Sequence, residues 1–422
     1  MKERLAEVFL LLTIFLLPWQ TRWIFSSPVI GGEVSQYGTL SLYATELIIF
    51  IVVLLRGKWQ PVEGMKKVVQ AGYLLLGTVF FSLAFTSFFQ TGLAQILHII
   101  FAFALLMLLC DVRTNIKSVV SAFVAGLIIP SVLGLWQVIV GSSSAFSWLG
   151  LSAQNAQTAG AAVVETTTSR MLRAYGSFPH SNIFGGYIAV GLVSLSWIVR
   201  MIKTKQQLII SVIPVILFSV TLILTFSRGA WIALIVGFLL LISLMFLKRR
   251  VVPSRVIPIM IIGFVSLIVT LIVFYPQIFA RFEPNLRVEK ISIEERVSQY
   301  SWFDDVFKHN PLFGVGPGSY TFALQAIDSG KSVWAYQPIH NIFLLILGEL
   351  GIFGFATFLY LILRVDQMSA RVSKQAGGML GLTLGVVLIV LGLFDHYLWS
   401  LWPGLALGVF GVSLIIQWSR HT

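Results

Sequence analysis

Hydrophobic and polar positions alternate along this chain segment by segment, not residue by residue. Apolar runs occupy 5–19, 40–55, 68–89, 93–109, 116–140, 182–199, 208–225, 230–247, 256–275, 340–363, 377–394 and 399–418. A helix needs about 20 apolar residues, at 1.5 Å of rise each, to cross a hydrocarbon core. Backbone in lipid must pair within its own segment, so such runs predict helices. The expected fold is an all-α polytopic membrane protein of about 12 transmembrane helices, with 1–422 forming a single transmembrane domain. The first two runs are the shortest. The first follows Lys2 and Arg4 but leads into "LPWQTRW", which has no small-residue cleavage site, so it reads as a retained helix and not a signal peptide.

Two connections break the rhythm of short loops. One, 141–181, is rich in Ser, Ala and Thr and ends in "SRMLRAYGSFPHSN". The other, 276–339, is too long to lack structure of its own. Within it, "ISIEERVSQYSWFDDVFKHN" predicts an amphipathic helix with Ile293, Val297, Tyr300 and Phe307 on one face. Trp302 and Phe303 are placed to rest that helix on a membrane interface. "PLFGVGPGSY" ends it, and "YTFALQAI" predicts a second short helix. No internal repeat or inverted pair of interrupted helices stands out.

Composition and charge refine this picture. Hydrophobic residues make up 57% of the chain and charged ones 11%, a balance no soluble domain of this length shows. The net charge of +12 would point to nucleic acid in a soluble protein. Here it sorts by side, so no nucleic-acid partner is expected. Alternate connections place 19 of the 29 Lys and Arg residues on the side of the termini. Among them are Arg56, Arg113, Lys203, Arg250, Arg255, Arg371, Lys374 and Arg420. The short connections opposite hold only Arg22, Arg170, Arg173 and Arg228. The positive-inside rule then puts both termini in the cytoplasm and the long loops outside. The single cysteine, Cys110, forms no internal disulfide and nothing marks it as a nucleophile or metal ligand.

Candidate chemistry concentrates on the outer side. "PIHNIFLLILGELGIFG" opens the tenth run with Pro338 and His340. A proline suits the first turn of a helix, where free N–H groups and the dipole attract anions and favour a neutral imidazole. On an ideal helix Gly351 and Gly354 share the face of His340, a stripe that admits a close partner helix. Glu349 lies opposite and is expected to pair with a neighbouring helix. His98, inside the fourth run, reads as a packed and satisfied polar residue. Arg228 in "LTFSRGAW" sits where there is almost no loop and offers a planar fork of donors. Arg170 and Arg173 precede His180 and Asn182 at the mouth of the sixth run. Arg296 lies in the amphipathic helix. Four arginines and two histidines near one cleft suit an anionic ligand. "GVGPG" reads as a tight turn, and Asp304–Asp305 as a solvated face. No metal or cofactor is expected: no P-loop, zinc spacing or nucleophile elbow is present.

These motifs resemble the O-antigen ligase and O-antigen polymerase superfamily of bacterial membrane glycosyltransferases. His340-Asn341, nine residues and then Gly351-Ile352-Phe353-Gly354 resemble its signature. "SRGAW", "ERVSQYSWFDDVFKHNPLFGVGPGSY" and "YGSFPHSNIFGGYIA" resemble, respectively, its helix-end arginine, its loop and the opening of its core helix. The likeness covers roughly 170–363 as a catalytic region, with 276–339 as a large extracytoplasmic loop. It implies a C-type glycosyltransferase-like bundle acting on a polyprenyl-diphosphate glycan, such as an undecaprenyl diphosphate donor of polysaccharide or lipopolysaccharide synthesis. It further implies inverting, metal-independent transfer to a glycan or lipid acceptor at the outer face of the cytoplasmic membrane. By resemblance His340 is the catalytic base, Arg228 and Arg296 bind diphosphate, and Arg173, in a loop of variable length, is a further arginine of that set. Asn341 and His180 complete the expected substrate-binding set. The same parts would serve a polymerase, or a protein-directed oligosaccharyltransferase. A transporter or flippase of lipid-linked anions is the alternative from another class.

Overall fold

The structure is a computed structural model, and it describes residues 1–30, 32–158, 160–249, 256–370 and 376–418. Of the basic residues assigned above to the side of the termini, Arg250, Arg255, Arg371, Lys374 and Arg420 lie outside the described residues. The apolar runs fold as helices. In order these are α1 (Lys2–Leu16), α2 (Ala44–Arg56), α3 (Met65–Ser82), α4 (Phe89–Leu109), α5 (Ile116–Val140) and α6 (Ser181–Met201). α7 (Lys205–Leu224), α8 (Arg228–Leu247) and α9 (Ile257–Val273) follow. The long loop contributes α10 (Tyr275–Ala280), α11 (Arg287–His309) and α12 (Tyr320–Ile327). The chain closes with α13 (Ile342–Ala370), α14 (Ala376–Phe394), α15 (Tyr397–Ser400) and α16 (Trp402–Trp418).

The expected count of about twelve spans is not confirmed. Among the described residues, 8 helices are long and apolar enough to cross a membrane. The other four runs form α1, α2, α9 and α16, of 15, 13, 17 and 17 residues. Apolar length in the sequence overstated them because chain at several run ends goes to turns, caps and strands. The strands, which apolar periodicity did not announce, are confined among the described residues to four two-stranded antiparallel ribbons. Arg22–Ser26 pairs with Leu40–Tyr43, and Val163–Glu165 with Arg170–Leu172.

A continuous core threads the bundle, and α6 is the most enclosed of its eight long helices: Phe184, Tyr187, Ile188 and Val190 are fully buried. Helix contacts are tight where glycine permits. A Cβ at Gly126 of α5 would sit 2.3 Å from the Phe15 carbonyl oxygen of α1. His98 behaves as read from the sequence. Its Nδ1 lies 2.6 Å from Glu46 Oε1, inside the core.

α13 holds the main departure from the sequence reading. Gly351 has φ 66° and ψ −170°, a region essentially reserved for glycine, and it breaks the helix. What approaches is a loop, not a helix. The Gly348 carbonyl accepts from Val315 N at 3.1 Å and the Glu349 carbonyl from Gly316 N at 2.8 Å. Ile352 N donates to the Pro311 carbonyl at 2.9 Å and Phe353 N to the Leu312 carbonyl at 3.3 Å. The segment 311–316 thus replaces the bonds the broken helix loses, as backbone at membrane depth requires. The glycine stripe expected to seat a partner helix instead admits this backbone. Gly314, Gly316 and Gly318 all have positive φ, as the tight-turn reading of "GVGPG" requires.

α11 forms the expected helix. Ile293, Val297 and Tyr300 are exposed, and Glu289, Gln299 and Val306 are buried. Trp302 and Phe303 are half-buried and pack against the core. The Lys331 ammonium sits 3.8 Å above the Trp302 ring. The helix faces inward because Glu289 finds arginine partners and Gln299 a histidine, which offset the cost of burying polar groups. "YTFALQAI" forms α12 as expected.

Polar side chains segregate by end. Arg56, Asp111, Arg113 and Glu3 form one ion-pair cluster, at connections on the side of the N-terminus. The residues of the site below come from the alternate connections, at the opposite end of the bundle.

Candidate functional site

The site is assembled from the connection before α6, the α7–α8 junction, the long loop, the start of α13 and the α14–α16 connection. Asn341 caps α13: its Oδ1 accepts from Phe343 N at 2.9 Å and Leu344 N at 3.3 Å. His340 therefore precedes the helix, so its ideal-helix angle to Gly351, Gly354 and Glu349 does not apply. Glu349 does pair with a neighbouring element as expected. It is buried and accepts from Trp399 Nε1 at 2.7 Å.

Gln299 of α11 sets the chemistry of His340. Its Oε1 accepts the His340 backbone N–H at 3.1 Å and lies 2.9 Å from Nδ1. The backbone donor identifies that atom as the amide oxygen, which can only accept. The proton must therefore sit on Nδ1, leaving the Nε2 lone pair available. Burial lowers the His340 pKa. The Asp395 carboxylate opposes that shift and the Arg296 guanidinium reinforces it. A neutral imidazole with free Nε2 can serve as a general base.

Three residues that the sequence reading missed adjoin His340. The His396 ring centre is 5.2 Å from that of His340, edge to face. Asp395 precedes it, and Ser400 Oγ lies 2.6 Å from His396 Nδ1. Burial pushes the Asp395 pKa up, but His340, His396, His180 and a hydrogen bond from Asn182 outweigh it and hold the carboxyl at about 2. His396 is pushed down to about 4 by burial, against the pull of Asp395. The only sequence signal was the polar trio in "FDHYLWS", inside a short connection on the same side as His340.

A relay of hydrogen bonds fixes Asp395 from behind. Asn182 Nδ2 donates to Asp395 Oδ2 at 2.8 Å, and Arg173 Nη2 donates to Asn182 Oδ1 at 2.6 Å. Arg173 Nε is tied to the Thr225 carbonyl at 2.7 Å. Arg173 is thus a buried strut behind Asn182 and does not line a cavity. His180 accepts from Asn182 N at 3.1 Å through Nδ1, capping α6. Burial and Arg173 push its pKa down to about 3, in keeping with an accepting nitrogen. Arg170 stays in its ribbon, 3.9 Å from Glu165, and does not join the cluster.

The remaining arginines share one cavity of about 320 Å³, open mouth included. Arg228, Arg281 and Arg296 line it with Asn182, Asp395 and Tyr397. Arg228 is the first residue of α8, behind the Ser227 N-cap. Glu289 holds two of the three guanidiniums: it pairs with Arg228 at 3.0 Å and with Arg281. Burial brings the Arg281 pKa down to about 10, which still leaves it cationic at neutral pH. Arg296 makes no hydrogen bond or ion pair among the described residues, so its guanidinium is free for a ligand. Tyr397 contributes a buried hydroxyl with no partner.

His340, Asp395 and His396 each offer a metal-ligand atom, all within 4.8 Å of one another. His340 already donates from Nδ1 to Gln299, and Asp395 shares a cavity with three guanidiniums. The cluster of guanidiniums suits an oxyanion.

Fold and site together define a multi-pass α-helical membrane protein with an arginine-lined cavity beside a buried histidine pair. Residues 213–359 match the family model described as O-antigen ligase. The match spans α8, the loop helices, His340 and Gly351, and it supports membership in the O-antigen ligase/polymerase superfamily. Among curated proteins, none matches the chain.

Proposed function

We propose that this chain is an inverting, metal-independent glycosyltransferase. It moves a glycan from a polyprenyl-diphosphate donor to an acceptor hydroxyl at the outer face of the cytoplasmic membrane, in the manner of an O-antigen ligase. A polymerase of the same superfamily would use the same machinery with a lipid-linked glycan as acceptor. The observation that carries this reading is the unpaired Arg296 in a cavity with Arg228 and Arg281, beside a histidine whose Nε2 is free.

The donor diphosphate lies against the three guanidiniums, whose donors match its oxygens and disperse its charge. The acceptor O–H gives its proton to His340 Nε2 as its oxygen bonds the anomeric carbon. The carbon–oxygen bond to the diphosphate breaks on the opposite side, the electron pair leaves with the diphosphate, and configuration inverts. Asp395 stabilises the imidazolium that forms, and Gln299 holds the ring. Asn341 and His180 shape the site through their helix caps. The termini and the basic ends of the bundle face the cytoplasm in this orientation, which the clustering of site residues at the other end supports.

The test is transfer from a polyprenyl-diphosphate glycan by purified protein. Because Arg296 has no internal partner, Arg296→Ala is expected to fold normally and lower kcat/KM for the donor about 10- to 100-fold, the scale of one or two charge-assisted hydrogen bonds. Wild-type turnover is expected to survive excess EDTA. Unchanged kinetics for the variant, or EDTA inactivation reversed by a divalent metal, would refute the assignment.

A further inference from the structure

A second and larger cavity, about 550 Å³ with its mouth, lies on the other side of the Asp395–His396 segment. The Arg22–Ser26/Leu40–Tyr43 ribbon, α4, α12, α13 and the start of α16 build it. Its lining contrasts with that of the arginine cavity. Arg22, at the exposed rim, is its only Lys or Arg, and Glu349 its only carboxylate. The rest are hydroxyls, amides, apolar groups, His98, and the aromatic faces of Tyr37, Tyr43 and Trp402.

Two of its hydroxyls point to an absent ligand. Ser41 Oγ and Thr321 Oγ1 are buried, at 1% and 2% residue exposure, and neither has a hydrogen-bond partner. Buried polar groups are nearly always satisfied, and leaving one unpaired costs about 1–3 kcal/mol. Both hydroxyls would gain partners from a ligand seated in the cavity with donors and acceptors of its own.

The cavity connects with the reacting groups. Ser400 lines it and bonds His396 Nδ1. The Tyr37 ring meets His396 edge to face at 5.7 Å. On the far side of that segment, Asp395 and Tyr397 line the arginine cavity. The 395–400 segment, which carries His396, thus contributes to both a cationic chamber and a nearly uncharged one.

From this contrast we infer that the second cavity is the acceptor subsite and that it takes an uncharged sugar. This rests on the glycosyltransferase reading above. Unpaired hydroxyls, amides and one carboxylate exchange hydrogen bonds with a polyol, and aromatic faces cover its apolar C–H surface. A phosphorylated or acidic sugar would meet Glu349, with Arg22 at the rim as the one lining cation. Its placement brings one acceptor hydroxyl toward His340 from the side opposite the donor diphosphate, as inversion requires.

The full chain in lipid nanodiscs provides the test, using methyl glycosides of neutral hexoses and N-acetylhexosamines, a methyl uronide as anionic control, and inorganic pyrophosphate for the arginine cavity. Thr321→Val and Ser41→Ala remove hydroxyls that nothing in the fold uses, so both variants should fold. Each is expected to weaken neutral glycoside binding at least about fivefold and leave pyrophosphate binding unchanged. Neutral glycosides that fail to bind, that bind equally well to both variants, or that bind more weakly than the uronide would overturn the inference. Binding that follows this pattern in a protein that never transfers glycan would leave the subsite standing and remove the enzymatic reading. Transfer whose acceptor KM ignores both variants would do the reverse.

Discussion

His340→Ala is expected to lower kcat about 10²- to 10⁴-fold, the usual contribution of a positioned general base. Donor binding should barely change, because the arginines lie in a separate cavity. Gln299→Leu should give a smaller loss, about 10- to 100-fold in kcat, since it frees the ring to take the other tautomer without removing it. The pH profile separates this role from simple packing. The base must be neutral, and burial holds the His340 pKa below the ordinary value of about 6.5. Activity should therefore be level through neutral pH and fall only as the medium becomes acidic enough to protonate the ring. Asp395 raises the His340 pKa, so Asp395→Asn should move that acid limb to still lower pH. An acid limb above pH 7 in wild type, or one that rises in Asp395→Asn, would contradict the assignment.

Gly351→Ala is expected to cause a large loss of stability. Its backbone conformation costs an L residue on the order of 1–3 kcal/mol. The new Cβ would also sit 2.3 Å from the Leu312 carbonyl carbon and oxygen, which cannot swing away as a side-chain tip can. Displacing 311–316 would strip partners from the Gly348 and Glu349 carbonyls within the membrane-spanning helix. That loop also joins α11 to α12, so Gln299 and Arg296 should shift from His340 at the same time. We expect a fall in thermal midpoint of several degrees or more by tryptophan fluorescence, together with loss of transfer. Gly77→Ala in α3 is the control, since no atom lies within 4 Å of the added Cβ. It should be neutral or slightly stabilising.

The helical architecture was legible because lipid removes the alternatives: long apolar runs must be helices. The number of spans was less so, because apolar length does not reveal where a cap or ribbon begins. His340, Arg228 and Arg296 were legible from their motifs, and each adjoins or lines the arginine cavity. Asp395, His396, Arg281 and Gln299 were not, since nothing in their neighbourhoods signals that the fold will bring them together. α11 shows the reason most clearly. Two of its buried residues, Glu289 and Gln299, are polar, and their partners, Arg228, Arg281 and His340, lie elsewhere in the chain. The GxxG spacing was seen correctly and interpreted as helix packing. Only the backbone angles of Gly351 reveal a break filled by a loop.

The most direct measurement follows one reaction in proteoliposomes: wild-type protein with a polyprenyl-diphosphate glycan and a neutral glycan acceptor, with donor, acceptor and lipid products quantified together. The account predicts stoichiometric release of polyprenyl diphosphate and a new glycosidic bond of inverted anomeric configuration, both absent in His340→Ala. Donor that crosses the bilayer with its glycan still attached, or transfer with retained configuration, would contradict it.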